Sequence, residues 1–382
     1  MSATTGRSVE RTIALCAATL TSTHFTVRTA MPLLLSGLAG AYGFSDSQLG
    51  DIGAAYSAGA TVIALSAPFW LRWVRLRSAT AAFAALGVAS LATAIALHSV
   101  ASLMAAFALA GIGFGGVYSL MIAMITRSAN PDRAFGWQWG LGSIPGVLLL
   151  YALPLVSSHG DMTRPLLLLL GLNTVTALSV AWLPKGIRLV GSAPKTQGSD
   201  TPRHDAIPIR LALCAVATTY LGITGAWSFL DRVATEAGLT SQYSGAVLAI
   251  TVALSSLLAL TAGQWGHIGA RRAPMTGAFL TMMTGLFFVS YWPTPVGFAA
   301  GSLLFLGLAT CVMTFTLSLV ARLDVTGKAA ALPAAALGIG SIVGPAMAGH
   351  VYQAVGVHGM IASCALSLLV ATAAYRSAYP TR

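Results

Sequence analysis

Apolar runs of about twenty residues, parted by short polar breaks, recur along the whole chain, and each is long enough to cross a bilayer as a helix. Charged residues make up 8% of the 382 residues and hydrophobic residues 56%, whereas a soluble domain carries about 25% charged residues. A soluble core could not hide so much apolar surface, so lipid must cover it. We read spans at 12–38, 48–71, 79–97, 101–126, 134–157 and 164–183, then at 209–230, 243–266, 274–292, 295–321, 331–355 and 357–376. Twelve helices of about 20 residues occupy about 240, which leaves short loops and no room for a second globular domain. The first run is about twice as long as a signal-peptide core and holds an arginine, so it is expected to remain as a helix.

The net charge of +11 raises the question of nucleic acid, and its placement answers it. With the N-terminus inside, all the lysines and arginines except Arg28, Arg164 and Arg232 fall in inner loops or tails. That bias orients a membrane protein with both termini in the cytoplasm. It also explains the charge without a nucleic-acid partner. The expected location is the cytoplasmic membrane of a bacterium, with lipid as the surrounding partner and the chain as a monomer. Cys16, Cys214, Cys311 and Cys364 lie in four different runs and form no CxxC pair, so reduced thiols are expected. No Walker A, HExxH or zinc spacing occurs, and no metal, cofactor or catalytic constellation is expected. Gly111-Ile-Gly-Phe-Gly-Gly116 matches GxGxxG but follows no strand, so its glycines are read as helix packing.

The chain repeats itself. Gly43-Phe-Ser-Asp-Ser-Gln-Leu-Gly50 follows the first span, and Gly238-Leu-Thr-Ser-Gln-Tyr-Ser-Gly245 follows the seventh. Gly140-Leu-Gly-Ser-Ile144 in the fifth span pairs with Gly338-Ile-Gly-Ser-Ile342 in the eleventh, and Arg75 pairs with Arg271. All three separations are close to half the chain. The fold class expected is therefore all-α, twelve transmembrane helices in two parallel six-helix repeats. Its parts would be an N-terminal bundle at 1–183, a cytoplasmic linker at 184–208 and a C-terminal bundle at 209–382.

Two such halves resemble the major facilitator superfamily. That family's signature after the second and eighth spans is Gly-x-x-x-Asp-Arg/Lys-x-Gly-Arg/Lys-Arg/Lys. Here Gly263-Gln-Trp-Gly-His267-Ile-Gly-Ala-Arg271-Arg272 keeps the first glycine and the basic pair, with His267 for the acid. The other copy, Ala67-Pro-Phe-Trp-Leu71-Arg72-Trp-Val-Arg75, keeps its arginines and has Leu71 for the acid. In the family these loops lock a gate, which implies gating roles for Arg72, Arg75, His267, Arg271 and Arg272. An arginine late in the first span, followed by Phe44-Ser45-Asp46-Ser47-Gln48-Leu49-Gly50, is similar to the anion:cation symporter branch. There that arginine binds substrate carboxylates, a role that would fall to Arg28. The acids that accompany coupling in that branch are Val27 and Phe114 here. A cyanate-transporter-like branch fits the length and the arginine equally.

The candidate site centres on Arg28. Arginine in hydrocarbon costs a contested ~3 to ~17 kcal/mol, so it is expected to face protein, water or a ligand. His24 lies one turn before it on the same face. Tyr118, Gln138, Tyr220 and Trp227 reach mid-membrane depth and join His24 and Arg28 as expected lining of a substrate cavity. Asp51, His24 and, third in order, Asp231 are the groups that could carry a coupled proton, and uniport stays open. The expected activity is secondary transport of a small organic anion, a carboxylate for choice. The alternatives are a multidrug-type efflux pump, which would need an embedded acid, and a non-transporting sensor or scaffold, which would usually carry a soluble output domain.

Overall fold

The structure, a computed structural model, describes residues 3–125, 131–157, 161–183, 206–262, 272–323 and 332–379. Nearly all of them are helical. The elements are α1 (Ala3–Tyr42), α2 (Asp46–Trp70), α3 (Leu76–Ala94), α4 (Val100–Ile125), α5 (Pro131–Val156) and α6 (Thr163–Leu178), the last continued by a 3₁₀ turn over Ser179–Trp182. After them come α7 (Ala206–Glu236), α8 (Ser241–Ala262), α9 (Arg272–Tyr291), α10 (Pro295–Gly307), α11 (Ala309–Leu323) and α12 (Leu332–Ala378). The tenth expected span is interrupted: α10 and α11 are its two pieces, parted at Leu308. The eleventh and twelfth run together in α12, where Gly356 (φ 75°, ψ −172°) turns the chain. The first and seventh helices reach beyond their expected ends, to Tyr42 and Glu236. Among the described residues, nine helical stretches are long and apolar enough to cross a membrane. Side chains such as Val62, Phe69, Val175, Ile207 and Leu257 are exposed on the outside of the bundle, where a lipid-facing surface places them. The middle of α1 carries Thr21, Ser22, Thr23, Thr26, His24 and Arg28 and faces inward.

The repeat is also one of local structure. Gly43 and Gly238 both have positive φ (66° and 79°), the glycine C′ device that ends a helix. The next helix is then capped. Ser45 Oγ accepts from the Gln48 N–H while Gln48 Oε1 accepts from the Ser45 N–H, a capping box. Thr240 Oγ1 accepts from the Tyr243 N–H in the second copy. Ser143 donates to the Gly140 carbonyl and Ser341 to the Gly338 carbonyl, so that pair of motifs matches in its bonds as well.

Within the first half, Gly111 and Gly115 let α4 lie against α2, and Gly113 and Gly116 let it lie against α3. A Cβ on Gly111 would stand 2.1 Å from the Tyr56 carbonyl oxygen. Phe114 is fully buried against Gly87. Glycine also brings the halves together. A Cβ on Gly50 of α2 would meet the Pro345 carbonyl oxygen of α12 at 2.4 Å, and one on Gly245 of α8 would meet the Leu150 carbonyl oxygen of α5 at 2.6 Å. Polar links gather at this same end, the end of Gly43. Arg232 lies 3.1 Å from Asp46, His350 3.3 Å from Asp51, and Gln353 Oε1 accepts from the Ser47 N–H. Each joins α2 to the second half.

Candidate functional site

Between the halves, at mid-bundle depth, lies a cavity of about 210 Å³. Helices α1 and α5 wall it from one half, and α7, α8 and the α10/α11 break wall it from the other. Arg28 is the one charged side chain on its described walls. The guanidinium sits 5.1 Å from the centre of the Tyr220 ring, with the Tyr220 hydroxyl close by. A cation–π contact thus takes the place of a counter-charge. Among the described residues Arg28 forms no ion pair. Trp227, two turns along α7 from Tyr220, donates its indole N–H to the Arg28 carbonyl (3.0 Å). The arginine is therefore held at side chain and backbone by one stripe of α7.

The rest of the wall is aromatic and hydroxylic. Phe25, Tyr220 and Trp227 supply rings, and Thr29, Ser143, Thr224, Ser255, Ser256 and Thr310 supply hydroxyls. Ser255 and Thr310 bond each other (2.7 Å) and tie α8 to α11. Such a chamber can hold a small anion by a planar, five-donor fork and can offer hydroxyl partners to its far end.

The expected site residues divide. Arg28, Tyr220 and Trp227 line the cavity. His24 lies outside its lining: it is buried and stacked between Tyr118 (5.2 Å between ring centres) and Tyr56 (5.7 Å). Its Nδ1 is 3.0 Å from the Tyr56 hydroxyl. Tyr118 belongs to that stack and touches Phe25 on its other flank. Gln138 is fully buried and donates from Nε2 to Thr21 Oγ1 (2.7 Å), while its Oε1 has no protein partner. None of these three lines the cavity; His24 and Tyr118 pack on its wall at Phe25.

The gating set also divides. Asp51 faces His350, with 37% of its side chain exposed. At the opposite end of the bundle Arg72 stacks over Trp73 (5.1 Å), and Arg75 is exposed at the N-cap of α3. Neither forms an ion pair among the described residues. Arg272 donates to the Tyr379 carbonyl and lies over that ring, a contact inside its own half. His267 and Arg271 lie outside the described residues. Sequence reasoning passed over the cavity hydroxyls. Nothing in the single sequence sets the adjacent pair Ser255-Ser256 apart from other hydroxyl pairs in apolar runs, such as Thr218-Thr219.

No family model and no curated protein sequence matches the chain. Solved structures do. The chain is similar to nucleoside transporter NupG at TM-score 0.74 and 16% identity, over 98% of this chain and 99% of that one. It is similar to a bacterial homolog of the human lysosomal transporter Spinster, in an inward-facing and occupied conformation, at TM-score 0.69 and 13% identity, over 99% and 97%. The human organic anion transporter MFSD10 (TETRAN) gives TM-score 0.66 and 18% identity, over 96% and 99%.

Proposed function

Since the chain has the fold of the major facilitator transporters, an all-helical multi-pass membrane fold of twelve spans in two six-helix repeats, we propose that it is a secondary transporter moving a small organic anion, a carboxylate for choice, by alternating access. The compared structures are transporters, not enzymes. The observation that carries the substrate class is Arg28: a guanidinium on the wall of the cavity between the halves, with an aromatic ring beside it and no acid among the described lining residues. A cavity whose one charge is positive attracts anions and repels lipophilic cations, which disfavours multidrug efflux. That one structure of this fold is an organic anion transporter accords with this reading.

In this account Arg28, Tyr220 and Trp227 contact the substrate, while His24, Tyr118 and Gln138 shape the site from the second layer. The six-helix units are 1–183 and 209–382, joined by a cytoplasmic linker at 184–208. Both termini lie in the cytoplasm, the membrane is the bacterial cytoplasmic membrane, and the protein works as a monomer. The Gly43 end is then the outer end. Its Arg232–Asp46, His350–Asp51 and Gln353–Ser47 links join the halves there and keep the outer side shut. Arg72, Arg75, His267, Arg271 and Arg272 belong to the cytoplasmic gate. Between the anion:cation symporter branch and a cyanate-transporter-like branch, the Ser45–Gln48 motif does not choose, because its capping box serves the helix start whichever substrate is carried. The test is binding to purified protein across a panel of small carboxylates and size-matched amines. Stabilisation by amines alone would overturn the anion reading.

A further inference from the structure

The stripe of α7 that brings Tyr220 and Trp227 to Arg28 continues one turn outward to Asp231, which does not line the cavity. Asp231 is 1% exposed, and its partners are all hydroxyls. Ser244 donates to its Oδ1 and Ser241 lies 3.5 Å from its Oδ2, both from the start of α8. Ser36 of α1 approaches it from the other half. Ser36 stands eight residues beyond Arg28, about 12 Å along the helix. The charged and titratable groups of the surrounding elements face elsewhere. Arg232 pairs with Asp46 of α2, and Asp51 of α2 lies against His350 of α12. Glu236 accepts from Tyr352 of α12, Tyr243 of α8 donates to the Pro295 carbonyl, and Tyr42 of α1 packs on His98.

The geometry points to Asp231 as a proton-binding site that sets whether the outer seam between α1 and α7 is closed. A hydroxyl donates to a carboxylate and, by rotating, accepts from a carboxylic acid. This cage therefore satisfies both protonation states with the heavy atoms in place, which a guanidinium or backbone N–H cannot do. An ionised carboxylate is costly to bury without a cation, and the neutral acid is not. Closing the seam buries Asp231 and adds Ser36 as a partner; parting it removes Ser36 and admits water. Proton uptake from the outer water is thus linked to closure and release to opening, and the linkage is reciprocal. Asp51, half open beside a histidine, has no such change of surroundings built around it. The inference rests on the transporter reading and not on the anion site, and its test uses no substrate.

In protein with its native cysteines replaced, spin labels at Ala96→Cys and Pro293→Cys, both exposed at the outer end, report the distance between halves by pulsed dipolar spectroscopy. Raising the pH should convert the short, closed distance to the long one along a single-proton curve, the open-to-closed ratio changing about tenfold per pH unit. Asp231→Asn should stay closed at every pH. Asp231→Glu should keep a curve with a displaced midpoint, and Ser36→Ala should move the midpoint to lower pH by removing a partner of the closed state. Exchanging sodium for choline should change nothing. A pH-independent wild type, an Asp231→Asn curve matching wild type, or a sodium-dependent one overturns the assignment. So does a curve abolished by Asp51→Asn with Asp231 intact. Should Asp231→Asn fail to insert, an unmoved midpoint in both Asp231→Glu and Ser36→Ala overturns it equally.

Discussion

Arg28 meets the opposite half of the molecule through two aromatic side chains, and this arrangement makes separable predictions. Tyr220→Phe keeps the ring face and loses the hydroxyl, so anion affinity should fall by a few-fold, the equivalent of about 1 kcal/mol for one hydrogen bond. Arg28→Lys keeps the charge and loses the planar fork, so the loss should be larger. Calorimetric titration with the best-binding carboxylate reads both; a lysine variant that binds as wild type would remove the fork from the account. Arginine in an apolar run is rare, so Arg28 stood out in the sequence, and Tyr220 and Trp227 stood out with it. His24, Tyr118 and Gln138 gave the same kind of signal but stand outside the cavity lining. Spacing reports the face of a helix and not the depth at which a neighbour such as Tyr56 fills it. Ser255, Ser256 and Thr310 gave no distinguishing signal. Membrane-helix hydroxyls commonly bond back to their own carbonyls, as Thr251 does to Val247, and nothing in a single sequence marks those that line a cavity.

The helices owe their positions to small residues whose effects differ by what they pack against. Gly111 touches α2 within its own half, so Gly111→Ala forces a Cβ against the Tyr56 carbonyl oxygen. It should cost about 1–3 kcal/mol, seen as a lower melting temperature. Gly50 touches Pro345 across the halves. Gly50→Ala should leave each half folded and push the population toward outward-open, read by the same spin-label pair with little change in melting. Equal destabilisation by the two would mean that the α2–α12 contact is part of the core and not a moving seam. The helix count and the repeat were legible because hydropathy and turn chemistry are local. The break at Leu308 was not, since no proline or glycine pair in Gly307-Leu308-Ala309 demands it and only the neighbouring helices reveal it.

At the scale of the molecule, the proposed sidedness rests on the basic residues and the proposed state on the seam. Cysteines at Ala96 and Ser78 should be labelled from outside and from inside respectively by an impermeant reagent, and the reverse pattern would invert the topology. The links at the Gly43 end of the bundle lay beyond what the sequence could tell. Asp46, Asp51, Arg232 and His350 are legible as polar residues at span ends, but which partners they meet depends on how two halves tilt, a balance of small free energies. The central claim is that Arg28 binds an anion in the cavity between the halves. It is tested most directly by thermal stabilisation of wild-type protein and Arg28→Ala, purified at equal monodispersity, across small carboxylates and size-matched amines. The account predicts that at least one carboxylate raises the melting temperature of wild type and leaves Arg28→Ala unmoved; equal shifts in both proteins, or shifts from amines alone, would contradict it.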